Sequence, residues 1–226
     1  MLQESTLQFF RELRQNNNKP WFDHNRSRYE AVKKDYHRLT ADLLERMQAI
    51  EPALAPLQVK DCIFRINRDI RFSKNKDPYK THLSIIMTPF GRRMEFAGYY
   101  LHMDEEEGSF AGGGVYMPQP DALKKIRMEV SNFHEDFEKI INAPSFKTTF
   151  GDLDREDGMV LTRPPKGYSD DNPAIEHLKY KSFTATQPID KQLLSDPAAI
   201  DQVMAILADL KPFIDFLNRA LRENQL

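Results

Sequence analysis

Cysteine is nearly missing from this chain. One residue of 226, Cys62, carries a thiol, so the sequence can form neither an intramolecular disulfide nor a cysteine-based zinc cluster. No apolar run approaches the roughly 20 residues that a membrane-spanning helix needs. Glu4, Arg11, Glu12 and Arg14 interrupt the first turns, which is unlike the unbroken apolar stretch of a secretory signal. Charge of one sign is lacking too: 32 Lys and Arg stand against 34 Asp and Glu, and a net charge of -2 gives no overall attraction to nucleic acid or acidic lipid. Only 9 glycines occur, none at P-loop or dinucleotide-fingerprint spacing, and no Gly-x-Ser-x-Gly elbow is present. Six histidines are scattered, with no pair at the spacing of a helical metal site. These absences predict a cytoplasmic protein with no membrane segment, no metal and no cofactor, whose basic sites are local.

What remains is an ordinary globular balance, 40% hydrophobic and 29% charged, and it is read as one domain over residues 1–226. Ser5 with Gln8 forms a capping box, and Leu7, Phe10 and Leu13 mark a first helix that ends at Asn16-Asn17-Asn18. A second helix is expected from Pro20 to Glu51, with Phe22, Tyr29, Val32, Tyr36, Leu39, Leu43 and Met47 on one stripe. From Cys62 to Tyr116 the period shifts to two, with turn residues at Asn75–Pro78, Pro89–Arg92 and Asp104–Gly108, so four antiparallel strands are expected. A third helix is expected from Pro120 to about Ile140, a short strand near Met159–Thr162, and a helix after Ser195 that Pro212 either kinks or follows by opening another helix ending near Leu221. The class is α+β: an antiparallel sheet over about residues 62–117, joined by a late strand near 180–186, packed with N-terminal, central and C-terminal helices.

The most unusual stretch lies between Lys60 and Lys80, where seven Lys or Arg meet three Asp. If Phe64 to Phe72 is a strand, Phe64, Ile66, Ile70 and Phe72 share a face that Arg68 interrupts. A guanidinium at such a position needs a partner, either a carboxylate of the fold or an anionic ligand group held by its planar donor fork. Arg65, Arg68, Arg71, Lys74, Lys80 and Thr81 are therefore the candidate anion-binding residues. Tyr79 and His82 are the candidate proton-transfer groups, and no catalytic residue is assigned. His82 and His102, both on expected strands, can meet in space.

Four pieces of sequence carry a resemblance: Arg68-Asp69-Ile70-Arg71-Phe72-Ser73-Lys74 with Pro78-Tyr79-Lys80-Thr81; Asn17 to Tyr29 with Lys19-Pro20-Trp21-Phe22-Asp23; Gly98-Tyr99-Tyr100 with Gly112-Gly113-Gly114; and Leu178-Lys179-Tyr180-Lys181-Ser182-Phe183. Together they resemble the domain of unknown function 2461 family, with Asn75 standing where that pattern has Asp. The resemblance implies a shared fold and names no reaction.

Gly112, Gly113 and Gly114 precede a helix that carries Lys124, Lys125 and Arg127. They either let an anion approach the backbone or make room across the sheet. Lys179 and Lys181 with His177 form a second basic patch, which lines the same groove only if its strand joins the sheet beside Phe64 to Phe72. The leading expectation is an anion pocket for a phosphate- or carboxylate-bearing small molecule or nucleotide. The alternatives are a single-stranded nucleic-acid module in which Tyr79, Tyr99 or Tyr100 stacks on bases, and a structural or interaction protein whose arginines pair internally.

Overall fold

The computed structural model describes residues 1–89 and 96–222. Helix α1 (Glu4–Gln15) buries Leu7, Phe9, Phe10 and Leu13; α2 (Lys19–His24) buries Phe22; α3 (Arg26–Ile50) buries Val32, Tyr36, Leu39, Leu43 and Met47. The expected long second helix is thus two helices. The Asn25 side chain donates to the Trp21 carbonyl at 2.9 Å, closing α2 before α3 begins. The start of α1 is held from α3. The buried Asp35 carboxylate accepts from the Gln3 amide at 2.7 Å and the Thr6 hydroxyl at 2.8 Å, taking the place of a side-chain cap.

The asparagine triplet divides three tasks. Asn16 donates to the Glu12 carbonyl at 3.0 Å near the end of α1, and Asn18 accepts from Trp21 N–H at 3.0 Å at the start of α2. Asn17 reaches across to Tyr79, donating to its carbonyl at 2.9 Å and accepting from its N–H at 3.1 Å.

A 3-10 turn (Pro52–Leu54) and α4 (Val59–Cys62) lead to the sheet, built from β1 (Leu83–Met87), β2 (Gly98–Met103), β3 (Ser109–Val115) and β4 (Phe183–Ile189). The order is β1-β2-β3-β4, antiparallel, as the α+β expectation required. The strand expected over Phe64–Phe72 does not form. Pairing there shrinks to single bridges, Ile63 with Ile85 and Asn67 with Tyr79. Two backbone bonds flank the second bridge, Arg68 N–H to Pro78 O at 2.9 Å and Lys80 N–H to Ile66 O at 2.8 Å. Asp69 then turns the chain away by accepting from the Arg71 amide and guanidinium, and Phe72 is left 95% exposed. Apart from Pro89, the turn expected at Pro89–Arg92 lies outside the described residues.

Beyond β3 come α5 (Pro120–Asn132), α6 (His134–Ile141), α7 (Pro144–Phe150), α8 (Ile175–Leu178), a 3-10 turn (Lys191–Leu194), α9 (Ala199–Asp209) and α10 (Lys211–Arg222). The expected third helix is broken at Phe133, and Pro212 opens α10. The short strand near Met159–Thr162 reduces to one bridge, Val160 with Tyr180. Among the described residues no helix is long and apolar enough to cross a membrane.

Two compact units share the chain: Met1–Met87, Tyr100–Ala111 and Pro188–Met204 make the first; Thr88–Tyr99, Gly112–Gln187 and Ala205–Leu226 make the second. Neither is a continuous stretch, so no linker marks them in the sequence. In the second unit Phe137 packs against Phe183, Phe213 and Phe216, and the buried Asn218 side chain holds the Ala97 backbone at both its N–H (2.9 Å) and its carbonyl (3.1 Å).

Candidate functional site

Helix α3 presents Tyr29, Lys33 and Tyr36 at i, i+4 and i+7, which places them in one row. In the first unit that row faces a cleft of about 110 Å³ whose other walls are Phe64, Arg65, Ile66, Lys80, His82, Ser84 and Tyr100. Buried Tyr36 braces the floor. Its hydroxyl donates to the Ser84 carbonyl and accepts from the Phe64 N–H at 3.2 Å, and burial raises the phenol well above its usual range despite both bonds.

Three cations border the cleft from three parts of the chain. Lys33 pairs with Glu30 at 2.8 Å and lies over the Tyr29 ring, and the Lys80 ammonium sits 5.1 Å from the Phe64 ring centre. Arg65 is exposed and makes no hydrogen bond or ion pair among the described residues; the Asp69 carboxyl, lowered first by its bonds from Arg71, also feels the charge of Arg65.

His82 enters the cleft from just before β1 and lies against His102, ring centres 4.7 Å apart. Burial first, then the neighbouring His102, pushes the His82 pKa down to about 4, and burial lowers His102 as well. Ser84 Oγ bonds His102 Nδ1 at 3.0 Å and also bonds the Tyr100 hydroxyl, whose pKa burial raises. Behind the rings, the buried Asp104 carboxylate takes Arg14 at 2.7 and 2.8 Å and the amides of Glu106 and Glu107 at 2.9 and 3.1 Å. Within the turn expected at Asp104–Gly108, Asp104 is a buried anchor, 3% exposed.

Residues 5–216 match the model of the family described as Conserved hypothetical protein (DUF2461). The chain belongs to this family. No curated protein and no solved structure matches it. Two of the DUF2461 sequence pieces come together in the first unit, where Asn17 holds the Tyr79 backbone and Phe22 stacks on the Tyr79 ring at 4.0 Å.

Of the candidate residues, Arg65, Lys80 and His82 line the cleft of this DUF2461 chain. Arg68 donates to the Asp77 carbonyl at 3.1 Å, and Arg71 pairs with Asp69 at 2.6 Å while lying over Phe72. Lys74 is exposed. Thr81 borders a separate recess of about 20 Å³ beside Arg14 and Asp104, and Tyr79 is buried, 7% exposed.

Gly112, Gly113, Gly114, Lys179 and Lys181 belong to the second unit and are not among the lining residues. The glycines admit neighbouring backbone: a Cβ at Gly112 would sit 2.3 Å from the Ala185 carbonyl oxygen, at Gly113 2.3 Å from that of Gly98, and at Gly114 2.0 Å from that of Phe183. Lys179 pairs with Glu176 at 2.7 Å, and Lys181 donates to the Gly158 carbonyl at 2.6 Å.

Sequence reasoning missed Lys33 and Ser84. Lys33 sits four residues after Tyr29, so the helical repeat carried the signal, but nothing local distinguished it from the other charges of α3.

Proposed function

We propose that the cleft binds the phosphate or carboxylate group of a small molecule. The observation that carries this reading is the convergence of Lys33, Arg65 and Lys80 on one recess, with Arg65 making no ion pair among the described residues. Size narrows the ligand. At about 110 Å³ the recess is below the roughly 300–1,000 Å³ of sites that enclose drug-sized molecules, so it takes a charged head group and leaves the remainder outside. Tyr29 and Tyr100 offer aromatic walls for that remainder. Tyr79 and Tyr99 are buried, which leaves Tyr100 alone among the tyrosines considered for base stacking and favours a small anion over a nucleic-acid strand. Arg68 and Arg71, bonded within their own loop, fit the structural role considered for the arginines. A cytoplasmic location accords with the one cysteine, Cys62, being a buried free thiol.

Thermal unfolding with inorganic phosphate, phosphate monoesters, small carboxylic acids and a short oligonucleotide, each at low and high salt, tests the reading. An anion at a hundredfold excess over its Kd raises Tm by about 5–10 °C. Arg65→Met weakens binding by roughly 10–100-fold, the loss of one charge-assisted contact, while Arg71→Met leaves it unchanged. Equal losses in both variants, or no response to any anion at low salt, would overturn the proposal. A rise only with the oligonucleotide that collapses steeply with salt would replace it with the nucleic-acid reading.

A further inference from the structure

We propose that His82, His102 and Asp104 form a binding site for one divalent transition ion of the zinc class. One ligand atom from each lies within 4.8 Å of the other two. The backbone explains the convergence. His102 and Asp104 are two residues apart at the end of β2, a spacing that keeps side chains on one side of an extended chain, and His82 immediately precedes β1, the neighbour of β2 in the sheet. Nitrogen and carboxylate ligands at about 2.0–2.2 Å from a tetrahedral ion stand roughly 3.3 Å apart, so closing this set asks each side chain to move by about 1 Å or less.

Four further features suit an ion. His102 spends Nδ1 on Ser84 Oγ, which orients the ring and leaves Nε2 for a metal, the arrangement of a ligand supported from behind. Asp104 is held in place by Arg14 and two amides. Its Oδ1 accepts three hydrogen bonds and its Oδ2 only one, at 2.8 Å, so Oδ2 keeps an open lone pair. The charge balance favours a cation: Asp104, Glu105, Glu106 and Glu107 are opposed by Arg14 and Arg11, which pair with Asp104, Glu107 and Glu105, and Lys80 acts on His82 from the cleft side. Finally, the two imidazoles lie in contact, ring centres 4.7 Å apart, so each ring can present a nitrogen to one ion between them. Three protein ligands leave one tetrahedral position open, as in sites where the ion meets water or substrate. The inference does not rest on the anion reading, because a metal titration and a phosphate titration succeed or fail separately.

The experiment uses the full chain after treatment with a chelator, titrated calorimetrically with Zn2+ and followed by visible absorption with Co2+. One equivalent is expected to bind. His82→Gln and His102→Gln are each expected to weaken Zn2+ at least tenfold, and Ser84→Ala by roughly tenfold through loss of ring orientation, whereas His24→Gln, an exposed site, has no effect. If a variant fails to fold, NMR of the unsubstituted protein decides: Zn2+ must shift the ring signals of two histidines out of six. No binding up to about 100 µM Zn2+, an unaltered affinity in folded His82→Gln and His102→Gln, or a Zn2+ response at other histidines would overturn the proposal.

Discussion

Asn17→Ala tests how a side chain stands in for a strand. Tyr79 faces Asn67 in a bridge whose backbone bonds belong to the flanking residues, Arg68 with Pro78 and Lys80 with Ile66, so Tyr79's own N–H and carbonyl point away from Asn67. Asn17 meets both, at 3.1 and 2.9 Å, beside a residue that is only 7% exposed. Removing the amide orphans one donor and one acceptor, each at about 1–3 kcal/mol, and we expect a loss of about 3 kcal/mol. For a chain of 226 residues that is a fall in Tm of about 6–12 °C. The assay is urea unfolding followed by far-UV circular dichroism, with the slope unchanged and the midpoint lowered. Asn16→Ala is the control. It removes one bond to the half-exposed end of α1, where water replaces it, and costs about 0.5–1 kcal/mol. A loss below about 0.5 kcal/mol for Asn17→Ala, or one equal to that of Asn16→Ala, would refute the reasoning. Because Lys80 follows Tyr79, the folded variant is also expected to bind the proposed anion more weakly.

Two other outcomes are expected. Gly114→Ala forces a Cβ to 2.0 Å from the Phe183 carbonyl oxygen on a backbone with φ of +126°, and should cost about 3 kcal/mol or more, or prevent folding; near-parental stability in a thermal melt contradicts so close an approach of β3 to β4. In metal-free protein His82 stays neutral down to about pH 4, whereas the unfolded chain takes up that proton near the ordinary 6.5. Its contribution is therefore complete above about pH 6.5 and lost as the pH falls toward 4. Unfolding midpoints measured across this range should show a slope that His82→Gln reduces, and an unchanged slope rejects it.

Helix faces were readable because period and burial coincide: Leu7, Phe10 and Leu13 on α1, and Tyr36, Leu39 and Leu43 on α3, repeat at helical spacing and are all buried. The α+β class followed from the same logic, since the apolar period changes to two before β1 and back after β3. Where two readings competed on one residue, local pattern failed. Phe64 to Phe72 alternates like a strand, yet Asp69 offers the backbone a tighter local bond, and that competition is invisible in an apolar-polar pattern.

The basic run from Lys60 to Lys80 was legible as a local excess of charge, and that much the sequence determined alone. Which of those cations share a recess was decided by tertiary structure, because the loop after Asn67 carries Arg71 outward while the bridge to Tyr79 keeps Lys80 beside Arg65. Lys33 joined them from α3 and His102 met His82 across β1 and β2 for the same physical reason: residues distant along the chain become neighbours only when helix faces and strand order are fixed, and one chain's spacing contains neither.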